Sequence, residues 1–139
     1  MQLSEFITQI KDNCPLLKGR VFGAAELAIA TPTTMQPPCA FVIAMSEKAD
    51  GNSLLGGFSQ RITAQIGVVI AIRNFSDTRG EGGHKQLELV RTELFNALCA
   101  WQAPSTDIPT SFYAGQLASY DNMMLRWSDV FETQFYFRK

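Results

Sequence analysis

The chain has 139 residues, 46% of them hydrophobic and 18% charged, a length and apolar content that suit one domain with its own core. The 12 basic residues are scattered and matched by 13 acidic ones, for a net charge of −1, which excludes the clustered basic excess behind direct DNA or RNA binding. Cys14, Cys39 and Cys99 are odd in number and far apart, which excludes a disulfide framework or a CxxC metal site and reads as reduced thiols.

Leu3, Phe6, Ile7 and Ile10 recur at helical spacing and predict an amphipathic helix over 3–13, stopped by Asn13 and Pro15. Polar residues run through this segment, so it has no signal-peptide core. The longest apolar run, 67–72, falls far short of the ~20 residues that span a membrane. Residues 20–30 are small and apolar and read as a strand, with a bend or a close packing contact at Gly23. The proline- and threonine-rich 31–38 is a loop. Residues 39–45 form a second strand, with Phe41, Ile43 and Met45 on one side.

Asp50, Gly51, Asn52, Gly56 and Gly57 make 46–58 a loop, in which Leu54 and Leu55 have no periodic partner. The clearest strand is 60–74. Ile62, Ala64, Ile66, Val68, Ile70 and Ile72 alternate onto one face, while Arg61, Thr63, Gln65 and Arg73 lie on the other. Gly67, Val69 and Ala71 make the middle of that second face apolar too, so part of it should be covered. A charged, glycine-rich turn over 76–83 leads to a helix over 85–100, striped by Leu87, Val90, Leu94, Ala97, Leu98 and Trp101.

Residues 111–120 and 124–138 form the last strands, joined by a hairpin turn at Asp121-Asn122. Leu125, Trp127, Phe131, Phe135 and Phe137 share one face of the final strand. Asp129 falls among them and requires a partner such as an arginine, or a strand end that reaches water. The order α-β-β-β-α-β-β describes an α+β fold: a mostly antiparallel sheet with two helices packed on one face, in a single domain over 1–139.

No residue pattern points to catalysis. His84, the only histidine, sits at a helix start that disfavours a protonated imidazole and reads as a solvated residue. Residues 79–85 resemble a phosphate loop only superficially, because Gln86 stands where a P-loop places Ser or Thr. Asp77, Glu81, Asp121, Asp129 and Glu132 form no compact carboxylate motif, and Trp101 and Trp127 continue apolar stripes. The chain is therefore read as a non-enzyme with no cofactor and no metal.

Three passages carry a resemblance: 20–28 (RVFGAAELA), Gln60-Arg61-Ile62 running into 67–74 with Asp77 and Arg79-Gly80 following, and the helix ending in 97–101 before two aromatic strands. Together they are similar to the tail terminator (tail completion) proteins of long-tailed phages and prophages. The chain departs from that pattern at the last hairpin, where Asn122-Met123-Met124 replace a glycine and paired tryptophans.

The resemblance implies a structural protein that closes the tail tube as a ring of its own copies, commonly a hexamer. Such a ring stops tube growth and offers a surface to the head–tail connector. Its partners would be itself, the tail-tube protein and the connector, with no direct nucleic-acid binding and no membrane. Assembly would take place in the host bacterial cytoplasm, and the protein would end in the virion tail. A ring subunit contacts its two neighbours through different surfaces, and a charged fraction below the usual ~25% fits covered surface.

Leu54 and Leu55 are the candidates for contact with the tube or the neighbouring ring, in a loop expected to be disordered in the free subunit. Arg61, Arg73 and Arg79 are the candidates for pairing with acidic residues of the next subunit. The alternatives are another neck or head-completion protein, an oligomeric small-molecule-binding enzyme with its site between subunits, and a binding module using the aromatic C-terminal hairpin.

Overall fold

The computed structural model describes residues 1–29, 36–73, 81–121 and 123–139. Helix α1 (Leu3–Asn13) buries Phe6 and Ile10, the face its spacing predicts. A short 3-10 turn at Pro15–Leu17 follows, and it buries Leu17. Glu5 ties the first turn of α1 to the distant segment after the long helix: its Oε2 accepts hydrogen bonds from the Ser105 amide at 3.1 Å and the Ser105 hydroxyl at 2.8 Å.

The strand predicted over 20–30 is replaced by two elements: a two-residue strand β1 (Val21–Phe22) and a short helix α2 (Ala24–Ile29). Ala24, Ala25, Glu26, Leu27 and Ala28 are strong helix formers. The Gly23 amide donates to Glu26 Oε2 at 3.1 Å, the return half of a capping box. Glycine followed three residues later by glutamate was the signal that outweighed the apolar pattern.

Strand β2 (Cys39–Ala49) runs four residues beyond its predicted end, and β3 (Ser59–Arg73) pairs with it antiparallel. A register shift between Ala44 and Ser46 leaves Met45 as an extra residue. Helix α3 (Glu81–Leu98) begins earlier than predicted, in the glycine-rich segment. It ends where Ala100 takes a positive φ of 66°; the Ala100 amide then donates to the Thr110 carbonyl at 2.9 Å.

Strands β4 (Ser111–Asp121) and β5 (Met124–Arg138) complete the sheet. Asp121 pairs with Met124, which closes the hairpin between these strands, and Asn122 lies outside the described residues. The sheet order is β1-β2-β3-β5-β4, with β1 parallel to β2 and every other pair antiparallel.

Helices α1 and α3 pack on one face, over Ala40, Val42, Ile66, Val68, Ile70, Ile72, Leu125 and Phe131. That bears out the predicted α+β layering. The third helix is the correction. Leu27 of α2 packs with Cys39, Phe41, Ala71 and Met124 on the opposite face. The second face of the central strand is therefore partly covered, as its apolar middle predicts, but by the chain's own helix.

Asp129 shows how the two layers are joined. It is fully buried, and its carboxylate accepts bonds from Arg91 Nε and Nη2, both at 2.9 Å, and from Trp127 Nε1 at 2.9 Å. The predicted arginine is supplied by α3. Arg91 also lies 4.9 Å above the Trp127 ring and 5.1 Å above Phe95, contacts that favour a cation further.

Candidate assembly surfaces

Leu54 and Leu55 stand at the tip of the β2–β3 hairpin, 51% and 105% exposed. The segment predicted as a disordered loop has a defined form. Its first residues belong to β2, and Asn52 braces the rest. The Asn52 Nδ2 group donates to the carbonyls of Leu54 and Gly57, both at 3.0 Å, while its Oδ1 accepts from the amides of Leu54 at 3.2 Å and Ser59 at 2.9 Å. In this frame Leu54 is half exposed and Leu55 fully exposed. Phe58 and Phe137 stack edge to face 6.0 Å apart at the same end of the sheet.

Arg61 and Arg73 are not brought together. Arg61 is engaged within its own chain: its Nη2 lies 2.6 Å from Asp50 Oδ2, with both side chains about half exposed. That hydrogen bond and charge push the Arg61 pKa up. Arg73 ends β3 at the far end of the strand, and the intervening residues at ~3.4 Å each place it roughly 40 Å from Arg61. Arg79, like Asp77, lies outside the described residues.

A third surface was not singled out in the sequence. Strand β4 is exposed along almost its whole length, with Tyr113 60%, Leu117 53%, Tyr120 43% and Phe112 38% exposed. Nothing local says that α3, whose Phe95 stacks on Phe112 with ring centroids 4.7 Å apart, leaves most of β4 exposed. Leu89 on α3 is also exposed at 60%.

The groups that chemistry would need are dispersed or committed. His84 is exposed in the first turn of α3, 3.4 Å from the equally exposed Glu88. Glu132 accepts from Gln65 Nε2 at 3.2 Å, and Asp129 is held by Arg91. Trp101 packs edge to face on Phe6 at 5.2 Å, and Trp127 carries Arg91, so both serve packing. Among the described residues no three His, Cys, Asp or Glu side chains converge on a metal site.

Cys14 and Cys39 are buried. Burial pushes their thiols up, to about 12 for Cys14 with help from Glu93 and to about 11 for Cys39, where Arg20 and Arg126 oppose it. Burial also raises Cys99. A shallow depression between α1 and Trp101, Gln102 and Pro104 contains Glu5, already committed to Ser105. No described helix is long and apolar enough to cross a membrane.

The model of the family described as phage tail terminator protein matches residues 1–139. The chain belongs to the phage tail terminator family. It is a structural protein of a phage tail. Among solved structures, a chain of the virion of a native gene transfer agent particle superposes with a TM-score of 0.57. That match covers 97% of this chain and 94% of the other at 15% identity, a likeness of fold. No curated protein matches the chain.

Proposed function

We propose that this protein caps the phage tail tube as a ring of its own copies, ends tube polymerisation and presents the surface on which head and tail join. The family match over the whole chain carries this reading. The distribution of exposed apolar side chains supports it. They include a pair at a hairpin tip on one end of the sheet and a row along β4 on one side, which suits a subunit with several neighbours better than one with a single ligand.

In this reading the ring is a hexamer, and its partners are the tail-tube protein and the head–tail connector. Leu54 and Leu55 seat the ring on the tube or on the adjoining ring. Arg73 and Arg79 orient neighbouring copies, and Arg61 does so by exchanging Asp50 for an acidic residue of the next copy. Exposed pairs of this kind contribute only ~0–1 kcal/mol each, so they set geometry more than affinity. The protein has no catalytic role and works in the bacterial cytoplasm before it becomes part of the virion.

The test is negative-stain imaging of the purified protein with tails assembled in its absence. Rings at one end of length-limited tubes are expected. Protein that never meets a tube end would move the assignment to another neck position.

A further inference from the structure

We propose that neighbouring copies in the ring are joined strand to strand, the free edge of β4 pairing antiparallel with the free edge of β2 of the next copy. This rests on the ring reading above and specifies how the ring closes. Strand β4 has 11 residues and pairs among the described residues only with β5, leaving a row of backbone donors and acceptors ~37 Å long on its other side.

Long open edges are normally blunted by lysine, proline or inward-facing charge. Residues 111–120 contain no charged residue and no proline. Two register shifts, between Phe112 and Ala114 and between Leu117 and Ser119, are the only irregularities. Phe112, Tyr113, Leu117, Tyr120 and Met123 are 38–60% exposed, which amounts to roughly 450 Å² of side-chain surface. A stable interface needs ~800 Å² per partner, and the strand's own backbone and polar side chains lie on the same strip.

The occupant follows from the other side of the sheet. Strand β1 pairs with β2 only at Ala40 and Phe41, so residues 43–49 present a second free edge among the described residues. One sheet thus carries two open edges on opposite sides, and a head-to-tail copy satisfies both at once, in every subunit. An unrelated partner on β4 would leave β2 open.

Direction agrees. Successive antiparallel pairings from β2 through β3 and β5 to β4 make β2 and β4 run in opposite senses. A copy related by rotation about an axis inclined to the strands by well under a right angle therefore offers its β2 antiparallel to β4, the better-bonded arrangement, and the inclination is what staggers neighbouring copies along the strands. The register requires a stagger: Ser111 lies level, through Glu132 and Gln65, with Ser46. Ile43 lies level with Ala114 in the same way, and residues 47–49 extend beyond Ser111, so pairing along the whole of both free edges requires neighbouring sheets to slide along the strand direction, as strands do when a sheet closes on itself.

The experiment uses cysteine pairs in a Cys99→Ser background, Cys14 and Cys39 being buried. Leu117→Cys is combined in turn with Met45→Cys, Ser46→Cys, Glu47→Cys and Lys48→Cys. Each protein is oxidised alone and with tails assembled without it, then resolved on a denaturing gel. At least one pair should give a reducible ladder from dimer upward, with single-cysteine controls stopping at dimer. Adding Tyr113→Lys to Leu117→Lys should abolish ring formation while leaving the unfolding midpoint of the subunit unchanged. If no pair gives a ladder while the wild-type protein caps tails in micrographs of the same mixture, strand pairing is wrong and the ring reading stands. If neither ladder nor capping is seen, both are wrong. Rings formed by the double-lysine variant would also overturn the pairing.

Discussion

Replacing Arg91 by Met should destabilise the subunit by about 3–5 kcal/mol, because it strands a buried carboxylate. Asp129 is 0% exposed and would lose two of its three hydrogen bonds, keeping only the one from Trp127 Nε1. At about 1.5–3 kcal/mol for each bond to a charged group, the loss has the same size. Asp129→Asn alone should cost less, about 1–3 kcal/mol, since Arg91 keeps 27% of its side chain in solvent and its contacts with two rings. The decisive result is the combination. In the Arg91→Met background the same Asp129→Asn change should stabilise the protein, because it removes the unpaired charge, giving a coupling of at least ~2 kcal/mol. Urea unfolding followed by tryptophan fluorescence measures all four proteins, and Trp127 reports on the site itself. A single Arg91→Met cost below ~1 kcal/mol, or additive effects in the double variant, would show that water reaches Asp129 and would refute the reasoning.

Gly115→Ala should cost about 1–3 kcal/mol, since the new Cβ would lie 2.5 Å from Asp129 Oδ1 and 3.2 Å from Arg91 Nη2. Gly67→Ala should cost less in the same denaturation assay, because its 2.6 Å contact is with the Sδ of Met45, a flexible side chain 54% exposed that can swing away. The Leu54→Ser/Leu55→Ser variant should unfold within ~0.5 kcal/mol of wild type yet fail in a tail-joining assay; normal joining would remove the hairpin tip from the interface. Cys14 and Cys39 have folded pKa values raised above the ordinary 9.0 to about 12 and 11. The folded state therefore holds their protons longer than the unfolded chain does, and stability is fully present below pH 9 and lost as pH rises toward 11–12. Thiol labelling across that range should modify Cys99 first, and faster labelling of Cys14 than Cys99 in the native protein would contradict the burial.

Several features were legible because they depend on local periodicity. The α1 stripe of Phe6 and Ile10, the alternation of β3 and the apolar face of β5 each required a particular face to be buried, and the sheet with α1 and α3 beneath it follows. The oddity of Asp129 was equally legible: an acid among Trp127 and Phe131 demands a cation. Which arginine answered it depended on how α3 crosses β5, a relation between segments 38 residues apart.

The candidate interface was legible only in part. Leu54 and Leu55 stood out as apolar residues in a polar turn, and the structure leaves them exposed. Segment 20–30 was misread because a short apolar run fits a strand or a helix, and the capping glutamate that decides between them spans only three residues. That α2 then covers the second face of β3 depends on where Leu27 meets Cys39, Phe41 and Met124.

By itself the sequence determined which faces are apolar, since hydrophobic periodicity is a property of neighbours along the chain, and through framework residues it pointed to the family. Only the tertiary structure decided which of those faces are spent on the core and which remain. Strand β4 has apolar side chains like those of β5, yet it lies at the end of the strand order, where α3 touches it through Phe95 on Phe112 and leaves most of it exposed. Its exposure is a consequence of topology, and strand order is fixed by long-range pairing that no local pattern encodes.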